Sequence, residues 1–260
     1  MVLGAGGLTA IAWLHGVLDA LPPVLDGADR VVGSSAGALL AARLLGGGTP
    51  EGLSAHQAEL AGVRLGAPVV ARLLAAQVWP SRRHALIWLG RAARRPVALT
   101  EDAFVDLIGR AVGTSAWPAL LVVVAVDAES GRPAYFTARS GVDLNRAVAA
   151  SCAMPGVFPP VTIEDRTFLD GGLRSPANAD LASGCDRVLV LAPSGASARV
   201  VRRPGHQVER LRAEGAEVVL VQGPRPRLDA MAAEALPVAR ERGHAQGDQA
   251  VDAVRELWAG

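Results

Sequence analysis

The chain has 260 residues, half of them apolar, and a formal net charge of +1 from 26 basic and 25 acidic side chains. That length buries a sizeable core in one large domain, and the charge balance excludes both a disordered chain and a strongly basic nucleic-acid binder. Every basic residue is Arg, which excludes chemistry that needs a lysine, such as a Schiff base or a P-loop.

The chain opens on a short strand, Val2-Leu3, that breaks into the glycine-rich turn Gly4-Ala5-Gly6-Gly7. No basic segment precedes an apolar one there, so no secretory signal is expected. From Leu8 to Leu21, Ile11, Leu14, Val17, Leu18 and Leu21 recur at helical spacing until Pro22-Pro23 stops them. A strand over Asp29 to Val32 leads into Gly33-Ser34-Ser35-Ala36-Gly37, followed by a helix from about Ala36 to Leu45. Strand, turn and helix, twice within fifty residues, is the rhythm of a parallel sheet with crossover helices. Residues 50–115 read as a helical insertion without a convincing strand.

Within that insertion Trp79, Trp88, Leu86, Ile87 and Leu89 form an apolar cluster flanked by Arg82, Arg83, Arg91, Arg94 and Arg95. The cluster reads first as a packed helix with a solvated basic face, and second as a patch for peripheral contact with a membrane surface. Ala119 to Val126 is a continuous apolar, largely β-branched run, the mark of a strand buried on both faces and too short to span a bilayer. Pro133 to Thr137 pairs beside it, 144–153 is helical, and Phe168-Leu169 runs into Asp170-Gly171-Gly172. Arg187 to Leu191 and Glu217 to Val221 are two more buried strands, with a helix around His206 to Ala213 between them. Residues 224–260 are helical and less patterned. No internal repeat or linker interrupts the chain, so residues 1–260 are expected to form one domain. Cys152 and Cys185 make neither a disulfide framework nor a metal site, which points to a reducing, cytoplasmic setting.

The pattern G-x-S-x-G at Gly33–Gly37 has a physical explanation. A serine at a sharp strand-to-helix turn adopts strained backbone angles, and only small neighbours let the turn close. A serine hydroxyl also needs a base within hydrogen-bond reach and backbone N–H groups aimed at the developing oxyanion. Asp170, at the end of a strand with Gly171 and Gly172 after it, is the candidate base. Gly4 to Gly7, between a strand and a helix, is the candidate oxyanion turn. All three turns would fall at the carboxyl end of one parallel sheet, where open α/β folds build their sites.

In this order, a glycine-rich turn, G-S-S-A-G and a distant D-G-G, the chain resembles the patatin-like phospholipases. The segment Ala149 to Pro160, then Asn178-Ala179-Asp180 and the strand beginning at Cys185, extend the resemblance, which covers roughly residues 2–45 and 119–193. It implies a three-layer α/β/α sandwich on a mainly parallel sheet and a Ser–Asp dyad without histidine. Ser35 would be the acyl-accepting nucleophile and Asp170 its general base. The amides of Gly6 and Gly7, with Ala5 just before them, would form the oxyanion hole. The implied substrate is a lipid or other acyl ester, hydrolysed through an acyl-serine intermediate with no metal and no cofactor.

Two positions depart from the family's G-G-G-x-R-G turn: Thr9 stands where the Arg is common and Ala10 where the last Gly is. The missing Arg removes a fixed positive charge near the oxyanion, which predicts slower turnover or a preference shifted away from anionic head groups. A non-catalytic lipid-binding descendant of the same fold is therefore the rival reading. A dinucleotide fingerprint fails at Thr9, where its third glycine belongs, although Asp26 or Asp29 could serve as the ribose-binding acid. A Ser-Asp-His triad is disfavoured because only about thirty residues precede Ser35 and no turn motif surrounds His206 or His244. Cys152 reads as a small core residue.

Overall fold

The computed structural model describes residues 1–53, 66–95, 97–194, 197, 202–223 and 231–259. Eight strands form one sheet: β1 (Val2–Leu3), β2 (Val31–Ser34), β3 (Leu121–Asp127), β4 (Pro133–Phe136), β5 (Val161–Ile163), β6 (Arg166–Asp170), β7 (Arg187–Ala192) and β8 (Glu217–Gln222). Their order is β5-β6-β3-β2-β1-β7-β8, with β4 also on β3. The five strands from β3 to β8 in that order run parallel; β4 and β6 pair antiparallel with β3.

Alternation along each strand divides the core into two faces. Leu3, Val31, Leu121, Val123, Leu189 and Leu191 belong to a large apolar cluster on one face. Val2, Val32, Val124, Val188 and Val190 belong to a smaller cluster on the other. Helices α1 (Gly7–Ala20), α2 (Ala36–Leu45), α5 (Glu101–Val112), α6 (Leu144–Cys152) and α8 (Leu236–Ala259) supply side chains to the larger one. Helix α7 (Pro204–Ala213) covers the other face, and α4 (Arg82–Ala93) packs beside it on Val126 and Leu169. Helix α3 (Ala67–Val78) lies outermost, with Ala76 as its one buried residue. The result is the expected three-layer α/β/α sandwich on a mainly parallel sheet.

Both regions read as helical contribute to the core. Phe104 and Ile108 of α5, in the insertion, are fully enclosed in the main core, and Phe104 stacks on Phe158 at 4.6 Å. The C-terminal stretch holds a helix of 24 residues, α8, laid closely along α1. Gly243 and Gly247 bring its backbone against the Trp13 and Val17 carbonyls of α1, and Gly16 does the same from α1 toward Arg240. Val254 and Leu257 of the same helix join the larger apolar cluster.

Candidate active site

The turn at Ser35 is tight because two backbones pass it. A Cβ on Gly33 would stand 2.6 Å from the Cα of Ala38, and one on Gly37 would overlap the carbonyl of Leu3. Ser35 itself adopts φ 52° and ψ −121°, between the end of β2 and the first turn of α2. An L-residue held there stores about 1–3 kcal/mol of strain, sustained by its surroundings. Those surroundings are specific: the Ser35 N–H donates to Ser151 Oγ at 2.9 Å, and that hydroxyl donates to the Val124 carbonyl at 2.6 Å.

The register of β3 brings Asp170 to the serine. Ser34 of β2 pairs with Val124, and Asp170 of β6 pairs with Ala125, the next residue along. Because β4 spans Val123 to Val126 on the opposite edge, β2 and β6 share one edge of β3 and meet end to end. All three turns do meet at the carboxyl ends of β1 and β2, but not all follow parallel strands. The aspartate arrives on an antiparallel strand that takes over where β2 stops. Arg166, at the far end of β6, fixes this register through Asp127 Oδ2 at 2.8 Å.

Ser35 Oγ donates to Asp170 Oδ2 at 2.7 Å, and the other carboxylate oxygen accepts the Gly172 N–H at 2.7 Å. Asp170 is enclosed, and burial pushes its carboxyl up to about 6 despite those two hydrogen bonds. A carboxylate so placed is far more basic than one in water. Cys152 lies in the same pocket. Burial first, and then the Asp170 charge, hold its thiol well above the ordinary range, so it stays protonated and is no competing nucleophile.

Helices α1 and α2 both begin at this spot, so their unsatisfied first-turn N–H groups and positive ends converge beside Ser35. Gly6 and Gly7 line the pocket at the start of α1, with Gly7 at φ 73°. Ala36 does so at the start of α2. Ala5, expected among the oxyanion donors, is not available: its N–H donates to the Pro176 carbonyl at 2.8 Å. It serves as a wall, closely faced by Gly172, where a Cβ would stand 2.6 Å from that of Ala5. Gly171 likewise approaches the Val124 carbonyl more closely than any side chain would permit. Thr9 and Ala10 lie one turn into α1, away from the dyad's hydrogen bonds.

Two residues with defined positions here carried no role in the sequence reading. Ser151 is one. Asn178 is the other: held at φ 57°, it donates through Nδ2 to Ser34 Oγ at 2.7 Å and lies 3.2 Å from the Gly171 carbonyl. It thus ties the serine turn to the aspartate turn. Both residues fall in segments that the sequence reading quoted. The only local signal was a polar residue among small apolar ones, which is also how an ordinary helix or turn is written.

The cavity above the dyad has a volume of about 310 Å³. Its walls are apolar, with Leu39, Phe104, Ile108, Val157 and Phe158 among them, while Leu73 and Gln77 of α3 reach it from outside. Among the described residues no histidine lines it. His15 instead is buried at an ion-paired corner with Glu51 (3.0 Å) and Asp19 (3.5 Å), and Arg240 reaches Asp19 at 2.7 Å. Those three side chains could offer ligand atoms to a cation, but the Arg240 guanidinium already supplies positive charge to the cluster. Among the described residues no helix is long and apolar enough to cross a membrane.

Comparison with known proteins agrees with this geometry. The family description "Patatin-like phospholipase" matches residues 1–183. Strands β7 and β8, beyond that span, complete the same sheet. No curated protein matches the chain. Among solved structures, the type III effector protein ExoU is similar over 98% of this chain and 53% of its own, at 18% identity and a TM-score of 0.43. VipD from Legionella pneumophila is similar over 96% of this chain and 66% of its own, at 14% identity and a TM-score of 0.48. The chain thus spans between half and two-thirds of each of those proteins. With a family match over most of its length, the chain belongs to the patatin-like phospholipases.

Proposed function

We propose that this chain acts as a single-domain serine acyl-ester hydrolase on lipid substrates, with Ser35 as nucleophile and Asp170 as general base. The observation that carries the reading is the 2.7 Å hydrogen bond from Ser35 Oγ to a buried Asp170, at the floor of an apolar cavity. As Ser35 Oγ attacks the acyl carbonyl, its proton passes to Asp170 Oδ2, and negative charge develops on the carbonyl oxygen. The N–H groups of Gly6 and Gly7 and the positive ends of α1 and α2 stabilise that charge. Collapse breaks the ester C–O bond, and Asp170 returns the proton to the departing alcohol. Water, deprotonated by Asp170, then attacks acyl-Ser35; the acyl–Oγ bond breaks, Asp170 returns the proton to Ser35 Oγ, and the fatty acid leaves. Gly33, Ser34, Ala36 and Gly37 hold the serine in its strained turn; Gly171 and Gly172 do the same for the aspartate.

A cavity of about 310 Å³ lies at the small end of the range for ligand sites. It suits one acyl chain, with the rest of the substrate outside. Two unpaired cysteines support a reducing, cytoplasmic setting. A fluorophosphonate probe tests the chemistry directly. Labelling of the wild type at Ser35, none in Ser35→Ala and strong loss in Asp170→Asn would bear out the assignment. A folded wild type that resists labelling would put the lipid-binding, non-catalytic reading in its place.

A further inference from the structure

We infer that the outer face of α3, with the arginines around it, docks onto an anionic phospholipid bilayer and sets the mouth of the catalytic cavity against the lipid. The helix is apolar on two sides, and the two sides do different things. Val69, Leu73, Ala76 and Gln77 share the inner side: Leu73 and Gln77 line the cavity, Ala76 is buried, and Val69 packs on Gly156. Ala67, Ala71, Leu74 and Val78 share the opposite side, by the helical spacing of their positions, and all four are exposed. Leu74 is 63% exposed and Val78 76%, values that a side chain of this kind reaches only when nothing covers it. Trp79 follows directly, 38% exposed and stacked on Trp88 at 5.5 Å. A ring pair half in and half out of an apolar surface is the arrangement favoured at a membrane–water boundary.

Charge identifies the occupant. Between Gly66 and Arg95 the sequence has six arginines, at 72, 82, 83, 91, 94 and 95, and no Asp or Glu, in a chain whose net charge is only +1. Among them, Arg94 pairs with Glu129, and Arg83 donates to the Ser130 carbonyl. Arg72 lies on α3 itself, Arg82, Arg83 and Arg91 lie on the next helix, α4, and no acidic side chain falls between residues 66 and 95. Basic side chains without an acidic one, beside exposed Leu, Val and Trp, are the make-up of a surface-lying amphipathic anchor drawn to acidic lipid. The inner side of the same helix borders the cavity, so a bilayer seated on the outer side would present acyl ester groups at the cavity mouth.

Sedimentation with vesicles tests this independently of hydrolysis, using the Ser35→Ala protein so that the lipid stays intact. The probes are vesicles of phosphatidylcholine alone and of phosphatidylcholine mixed equally with phosphatidylglycerol. Binding to the mixed vesicles is expected to be roughly tenfold tighter or more, and to weaken as salt rises. Leu74→Glu with Val78→Glu is expected to cost roughly tenfold or more in vesicle binding. Arg72→Gln and Arg91→Gln are expected to cost about fivefold each. In the wild-type background, Leu74→Glu with Val78→Glu should leave the circular dichroism and the turnover of a soluble short-chain ester unchanged. The proposal is overturned by equal binding to both vesicles, or by vesicle binding that the double Glu variant leaves intact. It is overturned too if the apolar face instead supports a dimer that the same variant dissolves, which would assign the face to a second copy of this chain. An unlabelled Ser35 would remove the hydrolase reading and leave this experiment untouched.

Discussion

The floor and the roof of the cavity are built in opposite ways. On the floor, the polar groups around the dyad are engaged: Asp170 by Ser35 and Gly172, the Ser35 N–H by Ser151, and Ser34 by Asn178. Gly33, Gly37 and Gly171 allow backbones to approach more closely than any Cβ would permit. The roof, α3, buries one residue and presents Leu74 and Val78 to solvent. In the proposed reaction the floor must hold Ser35 Oγ and Asp170 at a fixed distance, which demands interlocking contacts. Close-packed polar contacts lie around Ser35 and Asp170, and exposed apolar surface lies on the outer side of α3.

The largest expected effects lie on the floor. Ser35→Ala should reduce ester turnover by about 10⁴-fold or more, measured under single-turnover conditions with folding checked by circular dichroism. Asp170→Asn should cost about 10²–10⁴-fold in kcat. It should also abolish a pH dependence: since the Asp170 carboxyl stands at about 6, wild-type hydrolysis rises with pH through that value as the base ionises. Stability moves the other way. A carboxyl raised above its unfolded value of about 4 stabilises the fold fully below that pH and loses the contribution as pH climbs through about 6. Asp170→Asn should therefore unfold at a higher temperature than wild type at pH 8, by up to about 3 kcal/mol in equivalent stability. A variant both inactive and no more stable at that pH would break the picture of a buried, destabilised base.

Smaller effects sharpen the contrast. Gly37→Ala drives a methyl into the Leu3 carbonyl and should lower stability in denaturant melts by about 1–3 kcal/mol. Ser151→Ala leaves the Ser35 N–H and the Val124 carbonyl without their partner, a loss of about 1–3 kcal/mol. Turnover should fall with it as the strained turn relaxes. On the roof, Leu74→Glu should change the melting free energy by no more than about 0.5 kcal/mol. A large loss there would mean that the exposed face of α3 belongs to the fold after all.

The serine turn, the glycine turns and the sheet's central strand were legible in the order of residues. Each rests on short-range necessity: a serine elbow needs small neighbours, and a central strand needs an unbroken run such as 121–126. Sequence also placed the strands at 187–191 and 217–221 close to where they lie; the first is buried as expected, while the second, at the sheet's edge, is only partly so. What only the tertiary structure decided is how distant segments share one edge or one surface. That β6 runs antiparallel and meets β2 head-on along β3 is a matter of pairing, which no local pattern encodes. Ala5 lost its expected role to a carbonyl from Pro176, and Ser151 and Asn178 gained theirs from partners more than a hundred residues away. The stretch of α8 reads as helical, but its partner α1 was not foreseeable, because the fit rests on Gly16, Gly243 and Gly247 meeting the facing backbone. Local chemistry follows from the order of side chains; which groups satisfy one another across the core follows only from the closed fold, where a buried polar group takes whichever partner packing brings to it.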